Sequence, residues 1–273
     1  MPKRRALLNS WALPDQGLTI AADRGWDALL LCDALFLLTS VGRIHNLFPA
    51  LVPFKPLLVS GILATTLYLL DTSQPRRLDQ LRSPTTTYVL ALLTWVAVCI
   101  PTALWQGGSF HVLTDDFIKT VLMYLVIVGS VRGLRDIERL TFVYFLAAAI
   151  YAAVVVMGSG GRSFRGPYEY YDQNDFATYA VSAMPFGVYF ALGKRPSYVR
   201  LLAAAGLATL MIGFLRTGSR GGFLALLAMG AFFVLRYTAI RAGWRIAATA
   251  LVALLITATA TETYWERDRK SVV

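Results

Sequence analysis

Two arginines stand four residues apart in "RTGSRGGF", which runs from Arg216 to Phe223 between the apolar stretches "LLAAAGLATLMIGFL" and "LALLAMGAFFVL". If a helix continues through the segment, Arg216 and Arg220 share a face. An arginine at mid-membrane costs about 3 kcal/mol on insertion scales, and such residues usually line a polar cavity. A guanidinium fork grips phosphate through paired hydrogen bonds, and a helix restarting at "SRGG" would add exposed amides and its positive dipole end. A diphosphate is the ligand class that this chemistry suits. The competing explanation is that both side chains snorkel to outer headgroups.

A second constellation lies upstream in "GSGGRSFRGPYEYYDQNDFATYA", from Gly158 to Ala180. It holds Arg162 and Arg165, then Tyr168, Tyr170 and Tyr171, then Asp172, Asn174 and Asp175. Tyrosine rings beside carboxylates and amides provide the apolar faces and hydrogen-bonding edges that a sugar needs. An interfacial aromatic belt explains the tyrosines equally well. Either Asn174 or Asp175 is expected to serve as the N-cap of the helix that follows. The glycine-rich stretch lacks the Gly-Lys-Ser/Thr of a nucleotide-binding loop.

Other reactive residue types offer less. His45 and His111 are both expected in outer loops, with nothing in their flanks to mark a general base. Asp115 and Asp116 stand alone, and no metal-ligand spacing appears, so neither metal nor other cofactor is expected. Asp33, inside an apolar block, is expected to be paired or to lie near the inner boundary. Cys32 and Cys99 also fall within apolar blocks, which argues against a disulfide framework.

The elements that must position these residues are apolar and long. The 273-residue chain is 56% hydrophobic and only 15% charged, which one soluble core could not accommodate. Nine apolar blocks stand at about 26–42, 53–71, 86–105, 117–131, 139–157, 175–193, 198–215, 221–236 and 243–260. Their length matches a helix crossing of about 30 Å of hydrocarbon. The expected fold is an all-α polytopic membrane protein of about nine transmembrane helices.

Charge sets the expected orientation. Sixteen of the 26 Lys and Arg fall in the N-terminal segment and in alternate connections, among them Arg132, Arg135, Arg139, Lys194, Arg195 and Arg200. That alternation places the N-terminus in the cytoplasm and the C-terminus in the periplasm. It also accounts for the net charge of +10 without nucleic acid. The start "MPKRRALLNSWALPDQGL" has no continuous apolar core and reads as an inner, interfacial segment rather than a cleavable signal. Residues 198–236 as one unbroken helix would run about 58 Å, so the chain must turn, and "TGSRGG" holds the glycines to do it. Two legs of about 26 Å each would place that turn just below the outer surface.

Two stretches resemble a known family. "YYDQNDFATYAVSAMPFGVYF" is similar to the D-x-N-D-F-A entry to a helix in the O-antigen ligase superfamily, and "FLRTGSRGGFLALL" resembles its T-x-S-R-G helix pair. The resemblance spans residues 20–267, but only these two motifs are specific. It implies a bacterial inner-membrane, metal-independent, inverting glycosyltransferase. Such an enzyme moves a glycan from an undecaprenyl diphosphate carrier to a lipid, polysaccharide or protein acceptor at the periplasmic face. Carried over, Arg220 would hold the carrier diphosphate with Arg216 as helper, and Arg162, Arg165, Asp172, Asn174 and Asp175 would shape the donor pocket.

The family pattern continues with a large periplasmic loop that carries a further arginine and the presumed histidine base. The expected organisation is thus an interfacial segment 1–25, a transmembrane domain 26–260, the start of a truncated loop at 261–267, and a non-native tail at 268–273. That tail, "DRKSVV", matches the translation of a common sequencing-library adapter, so an inactive fragment is expected. A polysaccharide polymerase or a protein O-glycan ligase would share donor and fold. A transporter or flippase of lipid-linked sugars is the rival of another class, although no internal duplication supports it.

Overall fold

The computed structural model describes residues 25–43, 49–71, 81–158 and 172–236, with the isolated positions 243 and 250. Among them the chain forms helices and no strands. Its α-helices are α1 (Ala28–Gly42), α2 (Pro56–Leu70), α3 (Pro84–Cys99), α4 (Gln106–Val112), α5 (Ile118–Ser130), α6 (Leu134–Gly158), α7 (Gln173–Leu192), α8 (Ser197–Thr217) and α9 (Arg220–Arg236). Four helical segments are long and apolar enough to cross a membrane: Ala50–Leu70, Pro84–Thr102, Leu134–Met157 and Ser197–Thr217. Outward-facing Leu69, Leu70, Trp95, Val98, Leu201 and Leu224 are exposed, as lipid-facing residues are. These features point to a membrane protein. The expected segments 1–24, 261–267 and 268–273, and the ninth apolar block apart from residues 243 and 250, lie outside the described residues.

The chain divides into two compact units. The first takes residues up to Phe36 and Pro56–Leu140. Leu29, Ala64, Met123 and Val126 form its buried cluster, with Cys32, Phe36, Leu67 and Tyr68 packed around it. Gly129 lets α5 approach α2, because a side chain there would collide with the Tyr68 ring. Ser83 caps α3 by accepting from the Thr86 amide at 3.2 Å, with Pro84 at the first helical position. Asp33 is fully buried in this unit.

Two expectations need correction here. The stretch "QGGSFHVLTDD", expected as an outer loop, is helical: α4 passes through a π-helical turn at Leu113–Phe117 into α5. Asp115 does not stand alone either. It accepts from Lys119 Nζ at 3.1 Å and lies 2.8 Å from His111 Nε2, an i, i+4 ladder that supports the helix.

A buried charge network of this unit lies at the α5–α6 junction. Arg132 donates through Nε to Asp136 Oδ2 at 2.7 Å, through Nη2 to Asp136 Oδ1 at 3.0 Å and through Nη1 to Asp27 Oδ2 at 3.0 Å. Arg139 adds a bond to Asp136 Oδ1 at 3.2 Å, and its guanidinium lies 5.6 Å from the Trp26 ring. The hydrogen bond from Arg132 to Asp136 raises the guanidinium pKa above its ordinary value against the opposing effect of burial. The side chains of Arg132 and Asp136 are only 8% and 5% exposed, so this is a buried pair rather than a solvated loop charge.

The second unit takes Leu37–Lys55 and everything from Thr141. Its core sets Phe145, Tyr151 and Phe176 among Ala148, Ala152, Ala177, Ala180, Ala183 and Leu210. Small residues let α7 and α8 close on α6, as packing in apolar surroundings favours. A Cβ on Gly206 would fall 2.7 Å from Phe145 Cζ, and one on Gly213 would fall 3.0 Å from Phe176 Cζ. Tyr144 and Tyr151 each stack edge-on against Tyr179, which ties the middle of α6 to α7.

The buried ion pair yields the first prediction. Arg132→Ala should cost about 3 kcal/mol, because it removes the main counter-ion of buried Asp136 and leaves it only the single bond from Arg139. Arg132→Met combined with Asp136→Leu should recover most of that loss in thermal denaturation of the detergent-solubilised protein.

Candidate functional site

The turn between α8 and α9 is built from its own short polar side chains. Gly218, in the left-handed region at φ 59°, ends α8 where a Cβ would be strained. The buried hydroxyl of Thr217 donates to the Phe214 carbonyl at 2.7 Å and accepts from the Ser219 amide at 3.2 Å. Ser219 then caps α9 by accepting from the Gly222 amide at 3.0 Å. The two hydroxyls of "TGS" therefore satisfy backbone groups that the break exposes, and its glycine supplies the left-handed turn.

The same serine reaches the second motif. Ser219 Oγ donates to Asn174 Oδ1 at 2.7 Å across 45 residues of sequence. Beneath this bond a Cβ on Gly222 would fall 2.5 Å from Ala177 Cβ, so the glycine lets α9 close on α7. The N-termini of α7 and α9 thus meet, and both present amides with no intrahelical acceptor. The first turn of α9 contains no acidic residue, whereas that of α7 contains Asp175.

The predicted residues divide as follows. Arg220 is the first residue of α9 and Arg216 lies in the last turn of α8, both exposed. The helix breaks between them, so they do not share one helical face. They come from two helix ends at a single turn. Arg216 Nη1 donates to the Val156 carbonyl at 2.8 Å and so caps the last turn of α6. Asn174 lies in the first turn of α7 and joins Ser219. The N-cap of α7 is neither Asn174 nor Asp175 but Asp172, whose carboxylate accepts from the Asp175 amide at 2.7 Å. The spacing Asp-x-x-Asp carried that signal. Arg162, Arg165, Tyr168, Tyr170, Tyr171 and His45 lie outside the described residues.

One expected dimension changes. α8 has 21 residues, about 31 Å, and only the 17-residue α9 has the short length of about 26 Å. The longer leg arises because α8 starts directly after Pro196 and continues through Arg216 to Thr217. Two residues that build the site, Thr217 and Ser219, were not singled out in the sequence. Their hydroxyls flank the glycine of "TGS", which was the available signal.

No protein-family model, curated protein or solved structure matches this chain. The site must be interpreted from its own residues. Guanidinium groups and outward amides at two converging helix ends can bind an anion. The carboxylates and the amide of Asn174 can take hydroxyl groups beside it.

The Ser219–Asn174 bond can be tested on its own. Asn174→Asp keeps an acceptor for the serine hydroxyl and should leave stability near that of the parent. Asn174→Leu should cost about 1 kcal/mol in chemical denaturation, and Ser219→Ala a similar amount or more through loss of the cap.

Proposed function

We propose that the chain is an O-antigen ligase-like membrane glycosyltransferase whose site binds an undecaprenyl diphosphate-linked glycan at the periplasmic face of the inner membrane. The proposal includes nine membrane crossings with the N-terminus in the cytoplasm. One observation carries it. The two motifs that resemble the family, far apart in sequence, are joined at 2.7 Å through Ser219 and Asn174. Two unrelated surface features would have no reason to share one hydrogen bond at the end of one helix bundle.

The chemistry follows from the groups present. A glycosyl diphosphate loses its sugar as negative charge builds on the departing diphosphate. Arg220 and the amides of the α9 first turn would stabilise that charge, which is electrostatic catalysis without proton transfer at this point. Arg216, fixed on Val156, would hold its fork at the same turn. Asn174, Asp172 and Asp175 would receive sugar hydroxyls, since an amide donates and accepts while carboxylates accept.

The test measures binding directly. In nanodiscs, the full chain should bind undecaprenyl diphosphate, and Arg220→Ala should weaken that binding at least tenfold. Equal affinity of the two proteins would remove the site. Orientation has its own check. After replacement of Cys32 and Cys99, a single cysteine at Asn174 should react with a membrane-impermeant maleimide added to spheroplasts. Labelling only after lysis would reverse the proposed topology.

A further inference from the structure

Among the described residues, two that are not glycine adopt a left-handed backbone, Arg43 at φ 45° and Lys55 at φ 42°. Both are basic, and they bracket the same connection between α1 and α2. The left-handed region brings Cβ against the following carbonyl, and helices that end this way usually place glycine or asparagine there. Here the glycine stands one residue earlier. A Cβ on Gly42 would lie 3.2 Å from the Ala147 carbonyl oxygen, so that position needs glycine for the approach of α1 to α6. Arg43 takes the strained cap itself. A side chain kept where the backbone disfavours it points to a task for that side chain.

The end of α1 lies on the helix that carries the second motif. The Tyr179 hydroxyl donates to the Val41 carbonyl at 3.0 Å, which fixes the last turn of α1 on α7. Tyr179 is one turn from Asp175. Along the exposed side of α7 run Asp175, Thr178 and Ser182, and Ser182 Oγ lies 2.8 Å from the Tyr144 hydroxyl. This polar strip descends about 12 Å from the Ser219–Asn174 junction along an otherwise apolar helix. Hydrocarbon is a poor environment for such a strip, whereas the hydroxyl groups of a sugar beside the phosphate would suit it.

We infer that Arg43 is a further anion-binding residue of the proposed site, and that it grips the phosphate nearest the lipid chain. The inference rests on the diphosphate reading above. Arg43 and Arg220 would then hold the two ends of one diphosphate, the deeper group from α1 and the outer group from α9. A guanidinium fork suits that task better than an ammonium group, since it offers two parallel bonds to one phosphate.

Arg43→Gly separates a binding role from a folding role, because glycine is the residue that this backbone prefers. The full chain in nanodiscs of phosphatidylcholine and phosphatidylglycerol is probed with farnesyl diphosphate by calorimetry, beside thermal denaturation. We expect the thermal midpoint of Arg43→Gly to equal or exceed that of the parent while affinity for farnesyl diphosphate falls at least tenfold. Arg43→Lys should fall between the two. If Arg43→Gly binds like the parent while Arg220→Ala does not, Arg43 has no part in the site and the diphosphate reading survives. If Arg43→Gly changes only the amount of phosphatidylglycerol retained on purification, it is a headgroup anchor and the inference fails. A lowered thermal midpoint together with lost binding would make it structural. Farnesyl diphosphate binding that survives both Arg43→Gly and Arg220→Ala would sink the inference and the underlying reading together.

Discussion

A helix that ends inside an apolar bundle strands backbone groups that water cannot reach, and the second unit of this structure is organised around one such ending. Four carbonyls lose their partners where one helix ends and four amides where the next begins, and the cost of leaving them bare is high away from water. At the α8–α9 break two buried hydroxyls and one left-handed glycine meet much of that demand within three residues. Arg216 performs the same service for α6 through the Val156 carbonyl. Because Ser219 also bonds Asn174, the break in one helix pair is coupled to the start of α7. A local repair of the backbone thereby becomes the link between two motifs.

Hydropathy located most helices because their boundaries coincide with changes in composition. The block expected at 117–131 is α5 at Ile118–Ser130, and that at 175–193 is α7 at Gln173–Leu192. It failed wherever a helix is not apolar. α6 begins at Leu134 rather than 139, since its first turns carry Arg135, Asp136, Glu138 and Arg139 and look like a loop to a composition window. "QGGSFHVLTDD" was expected as an outer loop because it parts two apolar blocks and, unlike the inner connections, carries no lysine or arginine. In the structure Gly108 is needed for packing, as a side chain there would collide with the Trp105 ring. The bidentate contact of Arg132 was hidden for another reason. Basic residues near a membrane face are usually solvated, and only the tertiary approach of Asp27 shows that this one is not.

Of the site, the residue types were legible and the connections were not. Arginine in an apolar run and Asp-x-Asn-Asp before another are local anomalies, so they stand out in a single sequence. That Ser219 rather than an arginine joins the motifs depends on how α7, α8 and α9 pack through Gly213, Gly222 and Ala177, and no local pattern reports it. The division of labour between the arginines was equally invisible. Had the helix run on through Gly218, both would have faced one way. The left-handed turn instead gives Arg216 to the end of α8 and Arg220 to the start of α9, where one caps a neighbour and the other sits among outward amides.

Charge balance then constrains what such a junction can hold. Arg216 and Arg220 are matched in number by Asp172 and Asp175, so the described part of the junction is formally neutral without ligand. Neutrality is what an apolar setting tolerates, because an uncompensated charge is expensive there. A diphosphate brings at least two negative charges, and two arginines already balanced by two carboxylates cannot neutralise it alone. If the site holds the proposed diphosphate, the remaining positive charge would come from neighbouring chain. The basic residues nearest in sequence are Arg162 and Arg165 on the connection into α7, and the structure adds Arg43, which follows the turn that Tyr179 fixes on α7. On the proposed reading, the paired helix ends can sit among apolar helices without excess charge, and a diphosphate would draw part of its affinity from Arg43.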